Sequence, residues 1–158
     1  MVPELDLIVF FPSERDGLAD VLDQQRAALV RKVTGVSSEQ ARQVPTASSL
    51  SLLSLLKHCA VWEVRWFQGV VAGEPFELDD EFLLDPDDTL ELWLARYEEA
   101  CEASRRIAAS RELDAPVARR DIVDGNLRWV LLHLIEETAR HAGHADILRE
   151  SLDGSRGM

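Results

Sequence analysis

Cysteine is scarce in this sequence, with only Cys59 and Cys101. Two thiols cannot build a disulfide framework, and no CxxC pair is present, so the composition points to a reducing compartment, the cytoplasm. Basic residues are also in short supply, 17 against 29 acidic ones, for a formal net charge of −12. A surface this acidic repels phosphate backbones and anionic lipid, which argues against nucleic acid or membrane as a partner. No apolar run approaches the roughly 20 residues that a membrane-spanning helix needs. The amino terminus, MVPELDLIVFFPSERD, has an apolar patch but neither the basic start nor the small-residue cleavage site of a signal peptide. Internal repeats and low-complexity tracts are absent as well.

What the chain does contain is helix-forming sequence dominated by Ala, Leu, Glu and Arg. Its length of 158 residues fits one domain, 1–158. Four segments carry helical periodicity between breakers. The first spans 13–34, where Ser13 with Asp16 forms a loose capping box and Gly35 closes the helix. Leu18, Val21, Leu22, Gln25, Leu29 and Val33 form its stripe. The second spans 48–72 between Pro45 and Gly73, the third 87–111 after Pro86, and the fourth 126–152 between Gly125 and Gly154. The second and third are joined by AGEPFELDDEFLLDPDD, long for a bundle and suited to a crossover along the bundle's length. Its acidic stretch 79–81 has no calcium-loop spacing and reads as a solvated loop. The expected fold is all-α, a four-helix bundle.

The fourth segment carries the chemistry. It holds His133, His141 and His144, three of the four histidines, with Glu137 among them. At 100° per residue, measured from Glu137, His133 falls near about −40°, His144 near about −20° and His141 near about +40°. The apolar stripe of Val130, Leu134, Ala145 and Leu148 centres near about +50°, so His141 points at the core and Glu137 lies just inside its edge. An isolated buried carboxylate is costly, so it pairs, protonates or binds metal. A Glu and a His one turn apart on a core face form half of a metal site. The remaining ligand must come from another helix, and His58, on the flank of the second helix's stripe beside Leu55 and Trp62, is the candidate. Bland readings stand beside this one. A flanking histidine is more often structural, and a Glu–His pair at this spacing can be a surface hydrogen bond. Trp62, Trp66, Trp93 and Trp129 read as core or groove walls, and Cys59 as a buried structural thiol. Glu63 falls in the apolar arc of the second helix and needs a partner, either a ligand histidine or an arginine.

The pattern LLKHCAVWEVRWF, followed much later by RWVLLHLIEETARHAGHADILRESLDG, resembles the DinB-like superfamily and, within it, the DUF664-type branch. The resemblance covers nearly the whole chain, and the second motif is the specific one. It implies a four-helix bundle with a long connection between helices two and three. It also implies a divalent metal, Zn or Ni, held by one histidine of helix two and two ligands four apart on helix four. In this sequence those positions are His58, Glu137 and His141. A glutamate in the middle position is similar to the mycothiol-dependent maleylpyruvate isomerases, which carry a further domain without a counterpart after the fourth helix here. The implied activity is a metal-dependent enzyme using a low-molecular-weight thiol such as mycothiol, of S-transferase or isomerase type, with a small-molecule thiol or electrophile as partner. Two other readings fit the same residues: a non-catalytic metal-binding or stress-related protein, and a metal-dependent hydrolase with Glu63 or a spare histidine as base. His133 and His144 leave an alternative ligand set open. Surplus apolar residues on the fourth helix, Trp129, Leu132 and Ile147, call for cover by a loop or by a second copy in a homodimer.

Overall fold

A computed structural model describes residues 11–76 and 82–156. The apolar amino-terminal patch up to residue 10 and the acidic stretch 79–81 lie outside the described residues. Every helix begins where a polar side chain can take a free backbone N–H. Ser13 accepts from the Asp16 amide and opens α1, Glu14–Val33. Ser37 and Gln40 close a capping box around the one-turn α2, Ser38–Ala41, an element the periodicity does not announce. Ser51 and Ser54 cap α3, Leu52–Glu63, later than the start at 48 expected from the apolar pattern, because the reciprocal serine pair is a better terminus. Thr89 opens α4, Leu90–Ala109, and Asn126 opens α5, Leu127–Asp153.

The helix of α3 does not stop at Glu63. It continues as a π-helix over Val64–Val71, a widened turn that the sequence pattern did not reveal. The Ala118 and Arg119 amides donate to the carbonyls of Val71 and Val70 and so satisfy its end. Gly73 follows in the left-handed region at φ 82°, with Ala118 pressed so close that a Cβ would come within 3.0 Å. Phe76 then folds back onto Gly69, whose missing side chain makes the room: a Cβ there would lie 2.2 Å from the Phe76 ring.

Polar contacts give the helix directions. Glu14 meets Arg128 at one end of α1 and α5, and Lys32 meets Asp146 toward the other, so these two helices run parallel. Arg105 of α4 bonds Asp23, and Arg15 of α1 donates to the Ala108 carbonyl, so α4 is antiparallel to α1. Chain entry into α4 lies beside Lys57, near the start of α3, so α3 and α4 also run parallel. The connection between the end of the π-helix and the start of α4 therefore joins opposite ends of the bundle, as its length suggested. The core falls into two buried clusters. One holds Leu29, Leu52, Leu55, Leu56, Tyr97 and Leu148. The other holds Leu22, Phe67, Val70, Leu127, Val130 and Leu134. The all-α four-helix bundle with a crossover between its second and third long helices is what the structure shows, supplemented by α2. Leu131 and Ala142 are buried and Ile135 packs at the core's edge. Trp129, Leu132 and Ile147 stay exposed, with no loop of the described chain covering them.

Candidate metal centre

Residues 51–60, the cap and first turns of α3, are all buried, including the arc of roughly 120° that holds Ser51, Ser54, Lys57 and His58. That places His58 in the interior rather than on the flank the stripe implied. Lys57, also buried, needs acceptors and finds them outside its own helix. Its Nζ donates to the Leu83 carbonyl at 2.7 Å and to Asp88 at 2.9 Å. Burial works against the Asp88 charge, but hydrogen bonds from Trp93, Lys57 and the Asp85 amide hold its carboxyl below the usual range. This knot fastens the end of the crossover to α3. It brings the Phe82 ring flat against His58, with centroids 4.2 Å apart and planes 16° apart. Nothing in the sequence periodicity pointed to Phe82 or Lys57, because both act across a loop.

On α5, His141 is buried and Glu137 half-buried one turn before it. The antiparallel course of α3 and α5 sets His58 opposite His141, at 4.5 Å between ring centroids. One ligand atom from each of His58, Glu137 and His141 lies within 4.8 Å of the other two. This is the group of three such donors found among the described residues. His133 and His144 fall outside it: His133 packs among tryptophans, and His144 lies 5.6 Å from the His141 ring.

The donor set fits a divalent ion. Burial pushes the His141 imidazole below its ordinary value against the pull of Glu137, and His144 and Arg140 add to the effect. It is therefore neutral near pH 7, as a ligand must be. Its Nδ1 is buried without a hydrogen-bond partner. Nε2 stands 3.5 Å from Glu137 Oε2, too far for a strong hydrogen bond. It is close to the roughly 3.3–3.5 Å expected between two ligand atoms of a tetrahedral ion with bonds of about 2.1 Å. Arg140, three residues on, pairs with the other oxygen of Glu137 and with Glu136, which orients the carboxylate. Two imidazoles and one carboxylate leave a fourth position open, the composition of catalytic rather than structural zinc sites.

Other groups are spoken for. Glu63 is 1% exposed and receives two hydrogen bonds from Arg26, itself 5% exposed, at 2.8 and 2.7 Å. Of the two partners open for Glu63 the structure selects the arginine, so a role as acceptor for a ligand histidine or as general base is not available to it. Arg26 occupies the place on α1 where the stripe had suggested Gln25. Burial and the Glu63 charge push the Cys59 thiol up, and burial raises Cys101 to about 12, so neither is a ready nucleophile. A groove of about 800 Å³ between α3 and α4, with Arg65, Trp93 and Arg96 in its wall, lies on the other flank of α3 and contains none of the three candidate ligands.

Residues 17–154 match the family described as mycothiol-S-transferase. No curated protein matches the chain. Among solved structures, a conserved protein of Enterococcus faecalis superposes with a TM-score of 0.66 at 14% identity, over 90% of this chain and 99% of that one, which speaks for the fold alone.

Proposed function

This chain belongs to the mycothiol-S-transferase family, a DinB-like family, and on that premise we propose that it is a metal-dependent thiol S-transferase whose ion is held by His58, Glu137 and His141. The observation that carries the reading is the convergence of these three donors within 4.8 Å at the one place where α3 and α5 bring buried imidazoles together. Zinc or nickel suits two imidazoles and a carboxylate. When bound, such an ion supplies Lewis acidity that lowers the pKa of a thiol and so yields a nucleophile near neutral pH.

The chain's own residues do the rest. Arg140 keeps one oxygen of Glu137 engaged and leaves the other facing His141. Phe82 and Trp62, on the His58 ring at 4.2 and 5.0 Å, limit water around it. In the transfer, the thiol sulfur forms a bond to an electrophilic carbon, the leaving group departs with its electron pair, and the thiol proton passes to solvent. With Glu63 tied to Arg26, the hydrolase reading is left with a spare histidine, His133 or His144, as its base.

The protein is proposed to work as a single domain, 1–158, in the cytoplasm, and as a homodimer through the exposed face of Trp129, Leu132 and Ile147. Light scattering at micromolar concentration tests the dimer. For the activity, elemental analysis of purified protein comes first. Conjugation of a generic electrophile is then measured with mycothiol, bacillithiol and glutathione, with and without metal. Turnover that needs both metal and mycothiol is the expected result. Metal-loaded protein with no rate above background for any thiol overturns the reading.

A further inference from the structure

The last part of the crossover, residues 82–88, is tied down by two cations from different elements. Lys57 of α3 donates to the Leu83 carbonyl and to the Asp88 carboxylate. Arg42, the residue that closes α2, donates to the carbonyls of Asp85, Pro86 and Asp88 at 2.6, 3.2 and 2.6 Å. Within the segment, the Asp88 amide donates to the Asp85 carbonyl at 3.1 Å, and the Asp85 amide to the Asp88 carboxylate at 2.8 Å. A surface connection can leave its carbonyls to water. This one has those of Leu83, Asp85, Pro86 and Asp88 bound by side chains of α3 and α2.

The tie falls beside the candidate metal centre. Lys57 and His58 are successive residues of α3, so their side chains leave the helix about 100° apart. Lys57 turns toward the start of α4, where it meets Asp88, and His58 toward α5, where it meets His141. Successive residues of the crossover answer them. The Leu83 carbonyl takes Lys57, and the Phe82 ring lies on His58, 4.2 Å between centroids with planes 16° apart. A flat neighbour touches only the face of an imidazole. Both nitrogens lie in the ring plane, so the stack fixes that plane without occupying either of them. The plane is what α3 leaves loose, because the χ2 torsion of histidine has broad wells. Phe82 is itself 39% exposed, yet the imidazole beneath it is only 4% exposed.

We propose that residues 82–88 form a strap that sets the plane of His58 for the ion, with Phe82 as the positioning residue in contact with it and Lys57 and Arg42 as positioning residues that act through Phe82. The proposal rests on the metal-centre reading for the ion, whereas the hold on His58 is tested without one. It also gives α2 a task, since that single turn presents Arg42 to three carbonyls of the strap. A strap that only excluded water would work with any apolar side chain of similar size, so leucine at position 82 separates cover from positioning.

The first assay follows His58 in metal-free protein. Diethylpyrocarbonate modifies accessible imidazole nitrogens, and peptide mass spectrometry reads each histidine separately. Phe82→Ala should raise the rate at His58 severalfold and leave unchanged that at His133, which packs among tryptophans. Arg42→Met, a change away from the ring, should raise the His58 rate too, but add nothing in a chain that already carries Phe82→Ala. The second assay is transfer of bound zinc to a chelator, which should be about tenfold faster in Phe82→Ala, the scale on which contacts to a ligand tune a metal site. Phe82→Tyr should restore wild-type values in both assays. Phe82→Leu, which shields but does not stack, should restore only the His58 rate. Unchanged His58 reactivity in Phe82→Ala, additive effects of Arg42→Met and Phe82→Ala, or zinc transfer in Phe82→Leu as slow as in the wild type overturns the proposal. Wild-type protein that takes up no zinc, while His58 reactivity follows Phe82, sinks the metal reading and leaves the strap's hold on His58 standing. Zinc held through His58 with equal transfer rates in every variant does the reverse.

Discussion

Replacing His141 by alanine removes one of three converging donors and leaves the helix intact, because alanine is the best helix former. The size of the effect follows from linkage. An ion that binds only the folded chain stabilises it by about 4.1 kcal/mol when its free concentration is 1,000 times its Kd. At about 2–4 °C per kcal/mol for a chain of this size, the metal-induced rise in Tm should be ~8–16 °C. His141→Ala should abolish that rise. The metal-free Tm should move much less, because truncation opens a small cavity but also deletes the buried Nδ1 that has no partner. His144→Ala, one ring away at 5.6 Å, should keep nearly all of the metal-induced rise. The assay is thermal unfolding with and without zinc or nickel, paired with elemental analysis after gel filtration. A metal-induced rise that survives in His141→Ala, or vanishes equally in His144→Ala, refutes the ligand assignment.

Glu63→Gln removes the buried counter-charge of Arg26 and leaves it only the partly exposed Asp23, so it should cost about 3 kcal/mol in urea unfolding, with Arg26→Met in the same chain restoring much of it. Gly69→Ala should destabilise by ~1–3 kcal/mol through the Phe76 ring, and adding Phe76→Ala should relieve the clash. Burial holds His141 and His133 below the ordinary value of 6.5. The folded state therefore binds fewer protons than the unfolded state, so the stability these groups contribute is present above pH 6.5 and lost as pH falls toward their folded values. Metal-free Tm should accordingly drop between pH 7 and pH 5.5, and a Tm that stays level or rises across that window contradicts their burial as neutral groups.

The four long helices, their order and the pair on α5 were legible in the sequence, because they depend on local information, whereas the one-turn α2 was not. Capping serines, glycine stops and a 3.6-residue period act within one or two turns, which is why α1 and α5 begin and end within a residue of expectation. The same arithmetic put Glu137 and His141 on the core side of one helix. It failed where the polar side of a helix is itself covered: Ser54, Lys57 and His58 share one side of α3, and the crossover and α5 bury it, so His58 read as a flank residue although it is buried. The π-helix of Val64–Val71 was invisible for a related reason, since its widened turn answers neighbours rather than local preference.

What the sequence by itself determined is an acidic, helical chain with one carboxylate–imidazole pair turned inward on its last helix. What only the tertiary structure decided is everything that needs two elements at once. Glu63 was found to belong to Arg26, Phe82 to the face of His58 through the Lys57–Asp88 knot, and His133 to the tryptophans around it. Each depends on which helices run parallel and where the crossover returns, and those are set by the summed burial of the whole bundle rather than by any one segment.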